Sequence, residues 1–211
     1  TLFQLMALAE QNPGLLAAAE VLLFMPDLFS YLLTGQLKSE STIASTSQMI
    51  DPRSGTWATS LVEELGLPTK ILPPIVPAGT VIAPLLADVA DECGAASVPV
   101  IAPATHDTGS AVAAVPAGGN DGWCYISSGT WSLMGVELDR PLINAKAAKY
   151  NYTNEGGVGG TIRFLKNIMG LWIVQECRRQ WQRDGADHSY AGLTQQAEQA
   201  APFRSIIDPD H

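Results

Sequence analysis

Pro68, Pro73, Pro74, Pro77 and Pro84 crowd one short stretch of the chain, and no regular helix can run through them. Each proline lacks a backbone donor, fixes its own φ and pushes the residue before it toward extended geometry. This stretch must cross the molecule extended, so helices are confined to either side of it. Upstream, residues 1–36 read as helical, with Leu2, Leu5, Met6 and Ala9 repeating at the period of a one-sided helix. Asn12-Pro13 interrupts that helix, Pro26 suits the first turn of another through Leu28, Tyr31 and Leu32, and Gly35 stops it. A Ser/Thr-rich run over 38–48 leads to a turn at Asp51-Pro52-Arg53-Ser54-Gly55. Thr56 is expected to cap a helix that runs to Leu65 and ends at Gly66. Beyond the prolines, a short strand over 80–83, a helix over 85–93 and a buried strand over 98–102 are expected. Helices and strands mixed in this order imply an α/β sheet.

After residue 105 the style of the sequence changes. A helix over 111–115 ends at Pro116 and the Gly118-Gly119 pair. The chain beyond the glycines reads as β: a strand over 123–127, a tight turn at Ser128-Gly129, and a strand over 131–137. Residues 153–165 alternate with glycines, and a helix is expected over roughly 167–182. The flexible link near 118–122 is the expected boundary between two units, 1–118 and 119–211.

Composition narrows the ligand. The formal charge of −9, from 21 acidic against 12 basic residues, disfavours nucleic acid and anionic membrane surfaces. The one dense basic group is Arg178-Arg179 with Arg183, so a small ligand is expected. No apolar run approaches the roughly 20 residues of a bilayer span. The 46% hydrophobic content supports a substantial core. Cys93, Cys124 and Cys177 are widely spaced and lack any CxxC or Cys/His pattern, so they read as buried thiols in a reducing compartment, without a disulfide or zinc site. A chain that starts at Thr1 with no basic leader reads as a segment of a longer, cytoplasmic protein.

Four segments carry chemistry-bearing residues. Thr105-His106-Asp107-Thr108-Gly109-Ser110 lies between an apolar strand and an apolar helix, where open α/β sheets place ligands. Asp107 there is either a ligand-facing carboxylate or an N-cap for the amides of Gly109 or Ser110. Ser127-Ser128-Gly129-Thr130-Trp131-Ser132 is a hydroxyl-rich turn that offers donors to phosphate oxygens, or a plain hairpin. No GxxxxGK[ST] loop is present. Asn154-Glu155-Gly156-Gly157 with Gly159-Gly160 permits close backbone approach to a ligand, or marks a loose hairpin. In the fourth, Leu165, Ile168, Met169 and Trp172 form an apolar stripe, interrupted by the polar Asn167 and Gln175. On one helix those two polar residues would stand about 12 Å apart along the axis. No GxSxG or HExxH motif points to hydrolysis.

Taken in order, THDTGSAV, YISSGTWSLMG, TNEGG and LKNIMGLW resemble the FGGY family of carbohydrate kinases, in the wording of its rhamnulokinase branch. LLFMPDLFSYLLTG, SESTIASTSQMID and VPAGTVIAPL are similar in the same way. The resemblance implies ribonuclease-H-like (actin-like) α/β domains, the later part of a sugar-binding domain followed by the early part of a nucleotide-binding one, with a cleft between them. It implies transfer of the ATP γ-phosphate to the 1-hydroxyl of L-rhamnulose in rhamnose catabolism, with Mg²⁺. Asp107 would be the catalytic base, and His106, Thr108 and Asn167 would join it in binding sugar. Thr130 and Gln175 would contact ATP, and no metal ligand falls on this chain. A non-catalytic sugar-binding or structural version of the fold, or a kinase for another ketose, is the alternative.

Overall fold

The computed structural model describes residues 1–117 and 122–208. The expected boundary at 118/119 therefore lies outside the described residues. The first part opens with α1 (Leu2–Gln11), α2 (Pro13–Ala18) and α3 (Met25–Thr34). Asn12 caps α2 by accepting from the Leu15 amide, which is why Asn12-Pro13 starts a helix as well as ending one. Gly35 closes α3 at φ 70°, the left-handed conformation glycine adopts without strain.

Strand β1 (Ser39–Glu40) runs straight into α4 (Ser41–Ala44). Strands β2 (Ile50–Asp51) and β3 (Thr56–Trp57) form a hairpin, and α5 (Thr59–Glu64) comes next. Thr56 is thus a strand residue paired with Asp51, and not the cap of a helix; Ala58 occupies the cap position. The turn at 51–55 brings two short extended pieces together, and their pairing takes Thr56 before helix geometry can begin. Leu2, Leu5, Leu16, Met49, Val62, Leu67 and Ile71 pack into one apolar core beneath these elements.

Apart from one 3-10 turn over Thr69–Ile71, the proline-rich stretch holds no helix and runs largely extended. It supplies β4 (Ile75–Val76), which pairs parallel to β1, and β5 (Val81–Pro84). After α6 (Ala87–Cys93), β6 (Pro99–Ile101) returns antiparallel to β5 and leads to α7 (Asp107–Ala113).

The second part is built on one antiparallel sheet. Its strands are β7 (Tyr125–Ser127), β8 (Trp131–Leu138), β9 (Thr153–Gly156) and β10 (Ile162–Met169), in the order β7-β8-β10-β9. Helix α8 (Ala145–Lys149) links β8 to β9, and α9 (Trp172–Arg183) and α10 (Tyr190–Gln199) come after the sheet. Val112 of α7 joins Tyr125 and Leu165 in a second apolar cluster, so the two parts share a packing interface.

Asn167 lies in β10 and not on a helix, so it and Gln175 do not share an axis. The stripe Leu165, Ile168, Met169 and Trp172 fits a helical period, but β10 pairs with β8 along its whole length, from Ile162↔Leu138 to Met169↔Trp131. That ladder of interstrand bonds outweighs a helical period carried by four residues, and Gly170 separates strand from helix. The three cysteines are free and exposed, not buried as expected. Cys93 ends a short surface helix, and Cys177 lies on α9, a helix with no buried residue. Among the described residues, no helix is long and apolar enough to cross a membrane.

Gly135 shows how tightly the sheet is packed. A Cβ there would lie 2.6 Å from the Tyr125 hydroxyl oxygen and 2.7 Å from Leu165 Cβ. Both neighbours belong to the buried cluster and have little room to retreat. Gly135→Ala in the intact protein should cost about 1–3 kcal/mol through overpacking. A urea titration reads this as a lowered midpoint at unchanged slope; an unshifted midpoint would show that the sheet can yield.

Candidate active site

The site grows from a buried carboxylate that sequence reading passes over. Glu40 ends β1 with 1% exposure. Its Oε1 accepts from the Thr42 amide at 2.9 Å, and its Oε2 accepts from the Thr105 amide at 3.0 Å, the Thr105 hydroxyl at 2.9 Å and the Thr42 hydroxyl. Burial alone would raise its pKa, but these donors together outweigh burial and hold it below the ordinary value. Glu40 thereby ties α4 to the loop that precedes α7.

Asp27 supports this arrangement from α3. Its carboxylate accepts from the Ser39 hydroxyl at 2.7 Å and the Glu40 amide at 3.0 Å. Its pKa is raised, chiefly by burial, with the neighbouring Glu40 charge adding to the effect against those hydrogen bonds.

The loop held by Glu40 delivers His106 and Asp107. The His106 amide donates to Thr42 Oγ1 at 3.1 Å. Asp107 opens α7 with 96% of its side chain exposed, so a substrate can reach it. The N-cap bonds to Gly109 or Ser110 are not made: the Ser110 amide donates to the His106 carbonyl, and Asp107 Oδ1 accepts from the Thr108 amide at 2.7 Å. Thr108 is buried beside it.

His106 faces the second part of the chain. Its Nδ1 lies 2.8 Å from Nη2 of Arg163 and 3.5 Å from Glu155 Oε2, and its Nε2 lies 3.7 Å from Asp107 Oδ1. Arg163 is wholly buried on β10, its Nε donating to the Gly156 carbonyl at 2.9 Å and its Nη2 lying 3.1 Å from Glu155 Oε2. Burial first, and the Arg163 charge second, lower the His106 pKa, against the pull of Glu155, Asp107 and Glu40. Tyr125 sits in the same region, its hydroxyl buried without a partner and its pKa pushed up to about 12 by burial.

Asn167 lies on the same face of β10 as Arg163 and Leu165, because side chains alternate along a strand. Four residues beyond Arg163, it stands about 13 Å along the strand, and its own side chain is exposed.

The hydroxyl-rich turn meets the head of α9. The Leu171 amide donates to the Gly129 carbonyl at 2.9 Å and the Trp172 amide to the Thr130 carbonyl at 3.1 Å. Gln175 Nε2 donates to Thr130 Oγ1 at 3.3 Å, so these two expected ATP contacts are neighbours. Gly170 makes the approach possible: a Cβ there would collide with the Gly129 carbonyl and lie 2.5 Å from Ser132 Oγ. The turn joins the paired strands β7 and β8 as a hairpin, and these contacts brace it against the head of α9.

Sequence reading misses Glu40, Asp27 and Arg163, and weighs Glu155 only as part of a glycine-rich segment. The signal for Arg163 is a charged residue at an inward position of an apolar strand, beside Leu165. Glu40 shows only a local cap pattern with Thr42, since its other partner, Thr105, becomes a neighbour only through the fold.

The architecture that presents these residues is shared with solved carbohydrate kinases, and is the ribonuclease-H-like (actin-like) α/β class expected from sequence. A ligand-bound xylulose kinase from Lactobacillus acidophilus superposes with TM-score 0.75 at 19% identity, over 95% of this chain and 40% of that one. Plasmodium falciparum glycerol kinase with ADP gives TM-score 0.74 at 12% identity, again over 95% and 40%. The chain belongs to the FGGY family of carbohydrate kinases, matching its N-terminal domain over residues 1–114 and its C-terminal domain over 124–211. Rhamnulokinases from Bacteroides thetaiotaomicron and Oceanobacillus iheyensis are 47% and 43% identical over all of this chain. The chain spans 42% and 43% of the length of those relatives.

Glu40→Gln should lower the stability of the intact protein at neutral pH by on the order of 2 kcal/mol, since an amide cannot accept from all these donors. The Glu40 pKa is lowered on folding, so its contribution is complete above the ordinary value of 4.5 and is lost as pH falls through the folded value. The stability gap between wild type and variant, measured by denaturant titration at several pH values, should close on the acid side. A gap independent of pH would show that the Glu40 charge does not hold the loop.

Proposed function

We propose that the intact protein is a rhamnulokinase, transferring the γ-phosphate of ATP to the 1-hydroxyl of L-rhamnulose, with Asp107 as the base. The observation that carries this reading is the exposed Asp107 carboxylate, standing beside a half-buried histidine on a loop held rigid by Glu40. The identity to rhamnulokinases along the whole chain supports the choice of sugar. In this reading residues 1–118 carry most of the sugar site and 119–211 begin the nucleotide site.

As the sugar oxygen attacks the γ-phosphorus, its proton passes to Asp107. The new O–P bond forms while the bond to the β-phosphate oxygen breaks, and ADP leaves. His106, Thr108 and Asn167 orient the sugar so that the reacting oxygen meets Asp107, and positioning of this kind carries much of the rate in phosphoryl transfer. Thr130 and Gln175 hold ATP at the braced corner, where the Gly170–Gly129 contact fixes the turn.

Magnesium accompanies ATP in such transfers and neutralises charge on its phosphates. Among the described residues, no group of three or more His, Cys, Asp and Glu side chains is placed to hold a metal ion. The small-molecule partners are then L-rhamnulose and ATP, and the compartment is the cytoplasm, where ATP is held.

Asp107→Asn should retain sugar binding by calorimetry while turnover falls roughly 10²–10⁴-fold, the usual worth of general-base catalysis. Near-normal turnover would remove Asp107 from that role. Thr130→Val should raise the KM for ATP by several-fold and leave the KM for sugar nearly unchanged in a coupled assay. An effect confined to the sugar would contradict the phosphate assignment.

A further inference from the structure

Arg163 contacts His106 alone among the residues assigned to the sugar, yet it is the largest fully buried side chain described. A guanidinium has five donors and no acceptor. At 2.8 Å from Nη2, His106 Nδ1 therefore has to be the acceptor and carry a lone pair. The imidazole is then neutral, and its one proton sits on Nε2. We propose that Arg163, held by Glu155 and the Gly156 carbonyl, is a positioning residue that fixes His106 as an Nε2–H donor toward a sugar oxygen beside Asp107. The sugar in this proposal rests on the kinase reading, but the tautomer comes from the geometry alone.

Three further observations agree. Nε2 lies 3.7 Å from Asp107 Oδ1, beyond a direct hydrogen bond, so its N–H remains available to a third oxygen between the two side chains. The Arg163 guanidinium cannot swing away, since Nε is bonded to the Gly156 carbonyl and the side chain has no exposed surface. The His106 amide is pinned to Thr42 Oγ1, which fixes the backbone from which the ring projects.

The charged groups facing the ring are Arg163 on β10, Glu155 on β9, Asp107 on α7 and Glu40 on β1. Burial and Arg163 disfavour the imidazolium and the carboxylates favour it, with a net lowering. A neutral donor beside Asp107 suits a base, because an imidazolium there would stabilise the carboxylate and weaken its pull on the sugar proton. The donor is also set from outside its own domain. His106 lies in the segment matching the family's N-terminal domain, and Arg163 in that matching the C-terminal one.

The test is imidazole nitrogen NMR on the intact protein with ¹⁵N-labelled histidine, His106 being assigned by comparison with His106→Gln. Wild type should show the Nε2–H tautomer with Nδ1 as acceptor near neutral pH, and titration below the ordinary histidine range. Arg163→Met should mix the tautomers and move the titration upward, and Arg163→Lys, which keeps a donor, should restore part of the wild-type spectrum. In kinetics, Arg163→Met should raise the KM for sugar about 10–100-fold with the KM for ATP nearly unchanged, as loss of a residue that orients another commonly does. An Nδ1–H tautomer in wild type would overturn the inference without requiring any variant to fold. So would an unchanged His106 spectrum in Arg163→Met. If the tautomer is found but the protein phosphorylates no sugar, Arg163 still positions His106, and the kinase reading fails instead.

Discussion

The buried carboxylate of Glu40 is the constraint on which the candidate site depends. It is almost wholly removed from water and is nonetheless held below its ordinary pKa, because Thr42 and Thr105 each give it a hydroxyl and an amide. A charge so placed is tolerable only while those donors stay where they are. The cost of disturbing them keeps the 105–107 loop in one conformation. Asp27 extends this order into α3. The candidate residues are thus presented by a loop bonded as firmly as a regular element.

A second buried charge, Arg163, plays the matching part from the antiparallel sheet. Its contact with His106 crosses from one family domain's segment to the other's, while Glu155 and Gly156 hold it from within its own segment. Removing either partner would leave a buried charge or a buried lone pair unanswered, so the two segments are fitted to each other through polar contacts as well as through Val112, Tyr125 and Leu165. At the other end of the sheet, Gly170 lets the 128–130 turn press against the start of α9 and brings Thr130 to Gln175. One sheet therefore carries both the anchor for His106 and the braced corner at Thr130.

Much of this is legible in the sequence where the signal is local. The proline run forbids helix and yields extended chain, Gly35 ends α3, and the Ser128-Gly129 turn falls between two strands. The strand, loop and helix around Asp107 lie close to where the apolar runs imply, although β6 is largely exposed where a buried strand is expected. What the sequence hides depends on partners distant along the chain. Four apolar residues around Asn167 fit a 3.6-residue period, while the deciding factor is an eight-residue ladder with β8. Glu40 and Arg163 look like ordinary charged residues until the fold places Thr105 beside one and His106 beside the other. The exposure of the three cysteines cannot be read from spacing, since spacing reports metal and disulfide patterns but not which face of an element is covered.

In the proposed reaction these parts meet in one event: the solvent-facing Asp107 takes a proton from a ketose alcohol while phosphate arrives from the sheet side. The most direct measurement is ³¹P NMR of the products when the intact protein is given MgATP with L-rhamnulose, with xylulose, or with no sugar. A phosphate ester on the 1-oxygen of rhamnulose should form in equal amount with ADP, and far faster than any xylulose ester. ADP appearing at the same rate without sugar, or no ester from rhamnulose at all, would contradict that mechanism.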